Sequence, residues 1–226
     1  METILDFIVS MRYIGNYKNK NSFQYMNDEQ KIVKFAAYVF IQKGFSKTTM
    51  DFLASEMGIS KKTIYKYFPS KYSLLEKAIL TFQGKIRLDL NRIADSNESV
   101  VKKIYDMSEY FAEFSLLINK NFLNDIYKHQ PKLWLKIDEL RSSVIVSIWE
   151  KIIIEGKKNN LVIDKSNEII IAIILSALTG VINPKFLSKN NITTTEAFEE
   201  TFYIIINGIL SEKGKIEFKK QEWNRK

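Results

Sequence analysis

The sequence contains no cysteine. That excludes disulfide frameworks, thiolate-ligated zinc, iron–sulfur clusters and thiol catalysis. A single histidine, His129, leaves no basis for a histidine-based metal site, and any catalytic triad would have to use that residue. Only 8 Gly and 3 Pro are available for turns. So few breakers disfavour a many-stranded sandwich or barrel and favour long helices. Long apolar runs are also missing. The most apolar stretch, residues 169–184, is uncharged over 16 positions, short of the roughly 18–20 that span a bilayer, so a buried helix is expected there and no membrane partner. The opening METILDFIVSMRYIG lacks a basic region before its apolar stretch and has no small-residue cleavage site, which makes it a poor signal peptide. What is present is ordinary globular composition, 46% apolar and 27% charged over 226 residues, enough for one large domain or two modest ones. The expectation is a cytoplasmic, all-α protein with no cofactor.

Charge is distributed unevenly. Of a net charge of +8, residues 1–75 carry 11 Lys/Arg against 6 Asp/Glu, and residues 43–71 alone hold 6 Lys against 2 acids. A basic excess of this kind suits nucleic acid or an anionic membrane, or merely a lysine-rich composition; charge alone does not choose.

Residues 1–27 read as an extension, an apolar patch followed by a polar Asn- and Lys-rich connector. Asp28 is a plausible N-cap for a first helix, in which Ile32, Phe35, Ala36, Val39 and Phe40 recur at helical spacing before Gly44 ends it. Thr49 is placed to cap a short second helix whose apolar residues Met50, Leu53, Ala54 and Met57 follow i, i+3, i+4, i+7. Gly58 stops that helix, and Ser60 caps a third at once. Two short helices joined by a three-residue turn make a helix-turn-helix, at about 49–68. Pro69 breaks the third helix, and Ser70 caps a long fourth running to about Ile93. Amphipathic helices follow at approximately 98–119, 121–130, 132–156, 166–182 and 195–211, about nine helices in all. Residues 213–226 read as a charged tail.

On a helical wheel, Ile64 and Phe68 of the third helix fall together and point to a core. Lys62, Thr63 and Lys66 fall opposite, flanked by Tyr65 and Tyr67. Long cations and hydroxyls on such a face reach phosphates and base edges in a major groove; the simpler reading of each residue alone is a solvated helix face. The whole string decides between them. GFSKTTMDFLASEMGISKKTIYKYFPSKYSLLEKAI closely resembles the DNA-binding segment of the TetR family of bacterial transcriptional repressors. The match runs through Thr48–Thr49, Leu53–Ala54, Met57 to Ser60, Thr63 to Tyr65, Tyr67–Phe68, Ser70–Lys71 and Leu74–Leu75, in order and without insertion.

The resemblance implies a three-helix DNA-binding domain over 28–75, followed by a helical effector-binding and dimerisation domain over 76–212. Thr49 would face a phosphate from the start of the second helix. Lys61, Lys62, Thr63 and Lys66 would belong to the recognition helix, with Tyr65 and Tyr67 gripping the backbone and Lys71 contacting phosphate. In the C-terminal part, aromatics are dense, and the family encloses a pocket for a small hydrophobic or amphipathic effector in this region. The candidates are Tyr110, Phe111, Phe114, Phe122, Tyr127 and Trp134, each of which also suits plain core packing. Arg141 suits a pocket cation or, better, an ion pair, and His129 reads as a helix-end surface residue.

The last two long helices are apolar around more of their circumference than a monomer surface tolerates and fit a four-helix homodimer interface. The candidates there are Ile170, Ile174, Ala177, Leu178, Phe202, Ile205 and Ile209. The expected protein is a homodimeric repressor on a palindromic operator in double-stranded DNA, released by a small-molecule effector. The competing readings are an activator of the same fold, a helical membrane-surface or lipid-associated protein, and an enzyme using an acid pair such as Asp138 and Glu139. Adjacent helical residues point about 100° apart, which stops that last pair from converging on one atom.

Overall fold

The computed structural model describes residues 26–118 and 120–223, so most of the expected N-terminal extension lies outside the described residues. Eleven helices occur among the described residues: α1 (Asp28–Lys43), α2 (Met50–Met57), α3 (Lys61–Tyr67), α4 (Lys71–Ala94), α5 (Val100–Leu117), α6 (Lys120–His129), α7 (Pro131–Lys158), α8 (Asn167–Val181), α9 (Pro184–Asn190), α10 (Thr194–Ile209) and α11 (Glu212–Trp223). That is two more than the nine expected. The first addition, α9, has a legible cause: Asn183 caps it, Pro184 occupies its first turn, and Asn191 ends it in the left-handed conformation. The second, α11, replaces the expected charged tail. Ser211 accepts the Gly214 N–H at 3.0 Å to start it, and the Phe218 ring meets Tyr105 at 6.2 Å.

The chain forms two compact units. One takes residues up to Ile86 together with Leu117–Ile137; the other takes Arg87–Leu116 and everything from Asp138 onward. Helices α4 and α7 each contribute to both units.

In the first unit, α1, α2 and α3 pack on one another and α6 packs on α1. Each start is capped. Asn27, rather than the expected Asp28, caps α1: its side chain accepts the Gln30 N–H at 2.9 Å while the Gln30 carboxamide accepts the Asn27 N–H at 3.1 Å. Thr49 accepts the Phe52 N–H at 3.0 Å and Ser60 the Thr63 N–H at 3.0 Å. Ser70 and Ser73 cap α4 reciprocally. Gly58 ends α2 at φ 63°, the left-handed conformation in which a Cβ is costly. The core comprises Ile32, Phe35, Phe40, Leu53, Ile64, Phe68, Leu74 and Leu75, all buried. Full burial of one such side chain contributes about 1.5–3 kcal/mol, so Ile64 and Phe68 suffice to fix which way the short α3 faces.

In the second unit, α10 packs against α8, and α9 returns on α8. A clasp ties the loop after α7 to the end of α10. The Ile163 N–H donates to the Ile209 carbonyl at 2.9 Å and the Ser211 N–H to the Leu161 carbonyl at 3.0 Å, with an isolated antiparallel bridge between Val162 and Leu210. Glycines make the approach possible. A Cβ on Gly214 would stand 2.2 Å from the Leu161 carbonyl oxygen, and one on Gly156 would stand 2.4 Å from Val162 Cγ2. Among the described residues no single helix is long and apolar enough to cross a membrane; α8 and α9 pass that test only as a pair, and the pair bends by 60°.

Candidate nucleic-acid interface

The three-residue turn Gly58–Ser60 sets α3 against α2 with Ile64 wholly buried and Phe68 beside it. Everything on the opposite side of α3 faces water: Lys62 and Lys66 are exposed, Tyr65 is 43% exposed, and Thr63 and Tyr67 are half-buried at the edges. The cations are not equivalent. Lys61 is held by Asp51 of α2 at 2.8 Å, and that hydrogen bond raises its pKa above the usual 10.5. Lys62 has no hydrogen-bond or carboxylate partner among the described residues, and the Lys66 ammonium lies over the Tyr67 ring at 5.2 Å. A phosphate or base edge therefore meets Lys62 and Lys66 ready to donate, whereas Lys61 must first leave a carboxylate. The Thr63 hydroxyl pairs with the Ser60 hydroxyl at 2.8 Å. Thr49 uses an oxygen lone pair to cap α2, which leaves its hydroxyl proton available for an anion.

Lys71 is placed differently from the expected free phosphate contact. Its ammonium donates to the Phe45 carbonyl at 3.0 Å and the Thr48 carbonyl at 2.9 Å, and lies 4.2 Å from the centre of the Phe45 ring. It braces the loop between α1 and α2. Burial lowers its pKa, while the Asp125 carboxylate acts in the opposite sense. An ammonium has three donors, so one remains beyond these two carbonyls.

Asp125 of α6 was not legible in the sequence. Its carboxylate accepts the Ser46 N–H at 2.7 Å and the Ser46 hydroxyl, and His129 lies 3.7 Å away. The two partners stand 79 positions apart, and no local pattern announces such a contact.

The six effector candidates divide between the units. Phe122, Tyr127 and Trp134 belong to the first, where Tyr127 meets Trp134 edge-on at 5.6 Å. Tyr110, Phe111 and Phe114 belong to the second, in an aromatic group with Phe198, Phe202 and Trp149. Phe111 stacks on Phe198 at 5.4 Å, Phe114 meets Phe198 edge-on, and Phe202 bridges to Trp149 at 6.0 Å. Phe198 went unremarked in the sequence, although it lies one turn before Phe202. Tyr110 reaches the buried Asp89 at 3.4 Å, and burial raises its hydroxyl pKa well above the usual value. Arg141 ion-pairs with Asp138 and donates to the Ile182 carbonyl at 3.0 Å, which also neutralises one member of the acid pair considered above.

The dimer candidates lie on the inward faces of their helices. Ile170, Ile174, Leu178, Phe202, Ile205 and Ile209 are all buried within the subunit, and Ala177 is half-buried. The apolar residues that do face outward on these helices are Ile169, Ile173, Tyr203 and Ile204, 59–70% exposed. They stand beside Ala172, Ser176 and Gly180 on α8 and Gly208 on α10, which are also exposed.

The geometry is that of a helix-turn-helix DNA-binding protein, and comparison agrees. Residues 32–78 match the profile of the bacterial regulatory proteins of the tetR family. The HTH-type transcriptional regulator YvaF of Bacillus subtilis, itself uncharacterized, is 28% identical over 177 residues, which is 76% of this chain and 90% of YvaF. Among solved structures, a transcriptional regulator from Saccharomonospora viridis in complex with choline superposes with a TM-score of 0.61 at 16% identity, covering 80% or more of each chain (81% and 98%). FadR from Bacillus subtilis in complex with stearoyl-CoA gives 0.57 at 16%, covering 80% and 98%; at such identities the likeness is one of fold. Residues 32–78 thus carry a tetR-type DNA-binding segment, and the relative the chain resembles over most of its length is an HTH-type transcriptional regulator.

Proposed function

We propose that this regulator is a cytoplasmic homodimeric repressor that binds a palindromic operator and leaves it when a small apolar or aromatic molecule binds. The observation that carries the reading is the α3 surface: Lys62, Lys66 and Tyr65 point outward, on a helix whose orientation is set by the buried Ile64 and Phe68. The outward Ile169, Ile173, Tyr203 and Ile204 support pairing of two subunits through α8 and α10, which places two α3 helices about a two-fold axis. Half-sites about one turn of DNA apart, roughly 34–36 Å, then read a palindrome.

The aromatic group around Phe111 and Phe198 supports an effector with an apolar or aromatic body. Choline and stearoyl-CoA, bound by two regulators of the same fold, show that such folds take both small cations and long acyl chains. Selection of bound duplexes from a random pool tests the first half of the reading; recovery of no palindrome refutes it. Calorimetric titration of candidate ligands with and without the selected duplex tests the second. Operator and effector must weaken one another by one common factor, and a ligand that binds equally well in both titrations is not the inducer.

A further inference from the structure

Two unpaired lysines lie outside the helix-turn-helix yet in the same compact unit: Lys128 in the last turn of α6 and Lys132 in the first turn of α7. Both are exposed, and neither has a hydrogen-bond or carboxylate partner among the described residues. Only Gln130 separates the two helices, and the corner between them is stiff. The Gln130 N–H donates to the Ile126 carbonyl at 2.8 Å and the Trp134 N–H to the Gln130 carbonyl at 2.9 Å, while Tyr127 and Trp134 meet across the turn.

The same corner is fastened to the loop that carries Lys47 and Thr49. Asp125, one turn before Lys128, takes both Ser46 donors, and its carboxylate acts on the Lys71 ammonium that braces that loop. Farther along, Lys136 reaches Glu76 of α4 at 2.9 Å, and Gln83 of α4 reaches the Ile137 carbonyl at 3.1 Å. With Lys136 tied to α4 within two turns of Lys71, the α7 turn that carries Lys132 lies toward the start of α4. The single acid of the corner, Asp125, is engaged by Ser46 and His129.

We propose that the α6–α7 corner is a second phosphate-contacting patch, in which Lys128 and Lys132, with Lys47 of the tethered loop, extend the DNA backbone contact beyond the helix-turn-helix. The inference rests on the DNA-binding reading above. Cations on a fixed corner beside the phosphate-facing loop add non-specific affinity and register but no base discrimination, because phosphates carry no sequence.

The test is fluorescence anisotropy on a labelled mixed-sequence duplex over a KCl series, with the full chain. Wild type is compared with Lys128→Gln/Lys132→Gln, Lys128→Arg/Lys132→Arg and, as a reference, Lys62→Ala. Each lost phosphate contact lowers the log–log salt slope by about 0.9, so the double Gln variant should lose about 1.8 per bound subunit while the double Arg variant retains the wild-type slope. A wild-type slope in the double Gln variant, with Lys62→Ala still weakened, overturns the second patch and leaves the DNA-binding reading standing. Failure of the wild-type chain to bind any duplex removes both.

Discussion

Ile173 and Ile174 are neighbours on α8 that point about 100° apart, the first 59% exposed and the second wholly buried. Glutamate at each position separates the fold from the assembly. At Ile174 the change removes a fully buried side chain, about 1.5–3 kcal/mol, and leaves a carboxylate in an apolar core, at about 3–5 kcal/mol for an uncompensated buried charge. Set against a total stability of about 5–15 kcal/mol, most of the protein should unfold or precipitate. At Ile173 the isolated subunit should change by no more than about 0.5 kcal/mol, as at other surface positions. If a second copy covers this face, the exposed part of the isoleucine is worth about 1–2 kcal/mol of burial. Two-fold symmetry counts it twice, so the dimer dissociation constant should rise by about thirtyfold to a thousandfold. Sedimentation velocity across nanomolar to micromolar concentrations reads the second effect, and circular dichroism melts read the first. An Ile173→Glu protein that sediments with the wild-type dissociation constant refutes the α8–α10 face as the interface. An Ile174→Glu protein that melts like wild type refutes the assignment of inward and outward faces.

Lys62→Ala and Lys66→Ala should each weaken operator binding by about 1–3 kcal/mol where a base edge is read; Lys61→Ala should cost less, since Asp51 already holds that ammonium, and equal losses at all three positions in anisotropy titrations contradict this ordering. Lys71→Met removes two donors from the loop between α1 and α2 and should lower thermal stability by about 1–2 kcal/mol. Because burial depresses the Lys71 pKa below 10.5, its titration adds stability as pH rises through the depressed value toward 10.5 and removes that stability as pH falls; the wild-type-minus-variant difference in melting temperature should grow over that alkaline interval, and a flat difference argues against it. Ser60→Ala should cost about 1 kcal/mol by uncapping α3, read in urea titration, with a matching fall in DNA affinity. Gly214→Ala should loosen α11, because its Cβ meets the Leu161 carbonyl oxygen at 2.2 Å; faster amide exchange across residues 211–218 is the expected signature, and unchanged exchange would falsify that contact.

The parts of this protein that are legible in the sequence are those whose signals are local. Thr49, Gly58 and Ser60 announce α2 and α3 by caps and a left-handed stop, and the single polar face of α3 leaves its orientation in no doubt. The faces of α8 are another matter. Ile169, Ile170, Ile171, Ile173 and Ile174 spread over more than half of the helix circumference, with Ala172 and Leu175 in the remaining arc, so composition marks it as broadly apolar but says nothing about which side meets its own subunit. The sequence alone therefore does not separate Ile173, which is exposed, from Ile174, which is buried. Likewise, Phe122 and Phe111 look alike as aromatics in a helical stretch, and only the long-range folding of α6 onto α1 puts them in different units. Asp125 lacks any sequence signature because its partner, Ser46, is brought to it by tertiary structure alone.

The clasp between residues 161–163 and 209–211 bears on how readily two subunits would join through the proposed α8–α10 face. It pins the end of α10 to the strap leading into α8, so the two helices that carry Ile173 and Ile204 are joined by main-chain bonds at one end as well as by packing along their length. Such a pair behaves as a stiff plate whose internal freedom is already surrendered during folding. A partner meeting it need not immobilise a floppy hairpin, so little of the contact energy is consumed in ordering. Weakening the clasp should therefore slow association of subunits without altering a single atom of the surface they share.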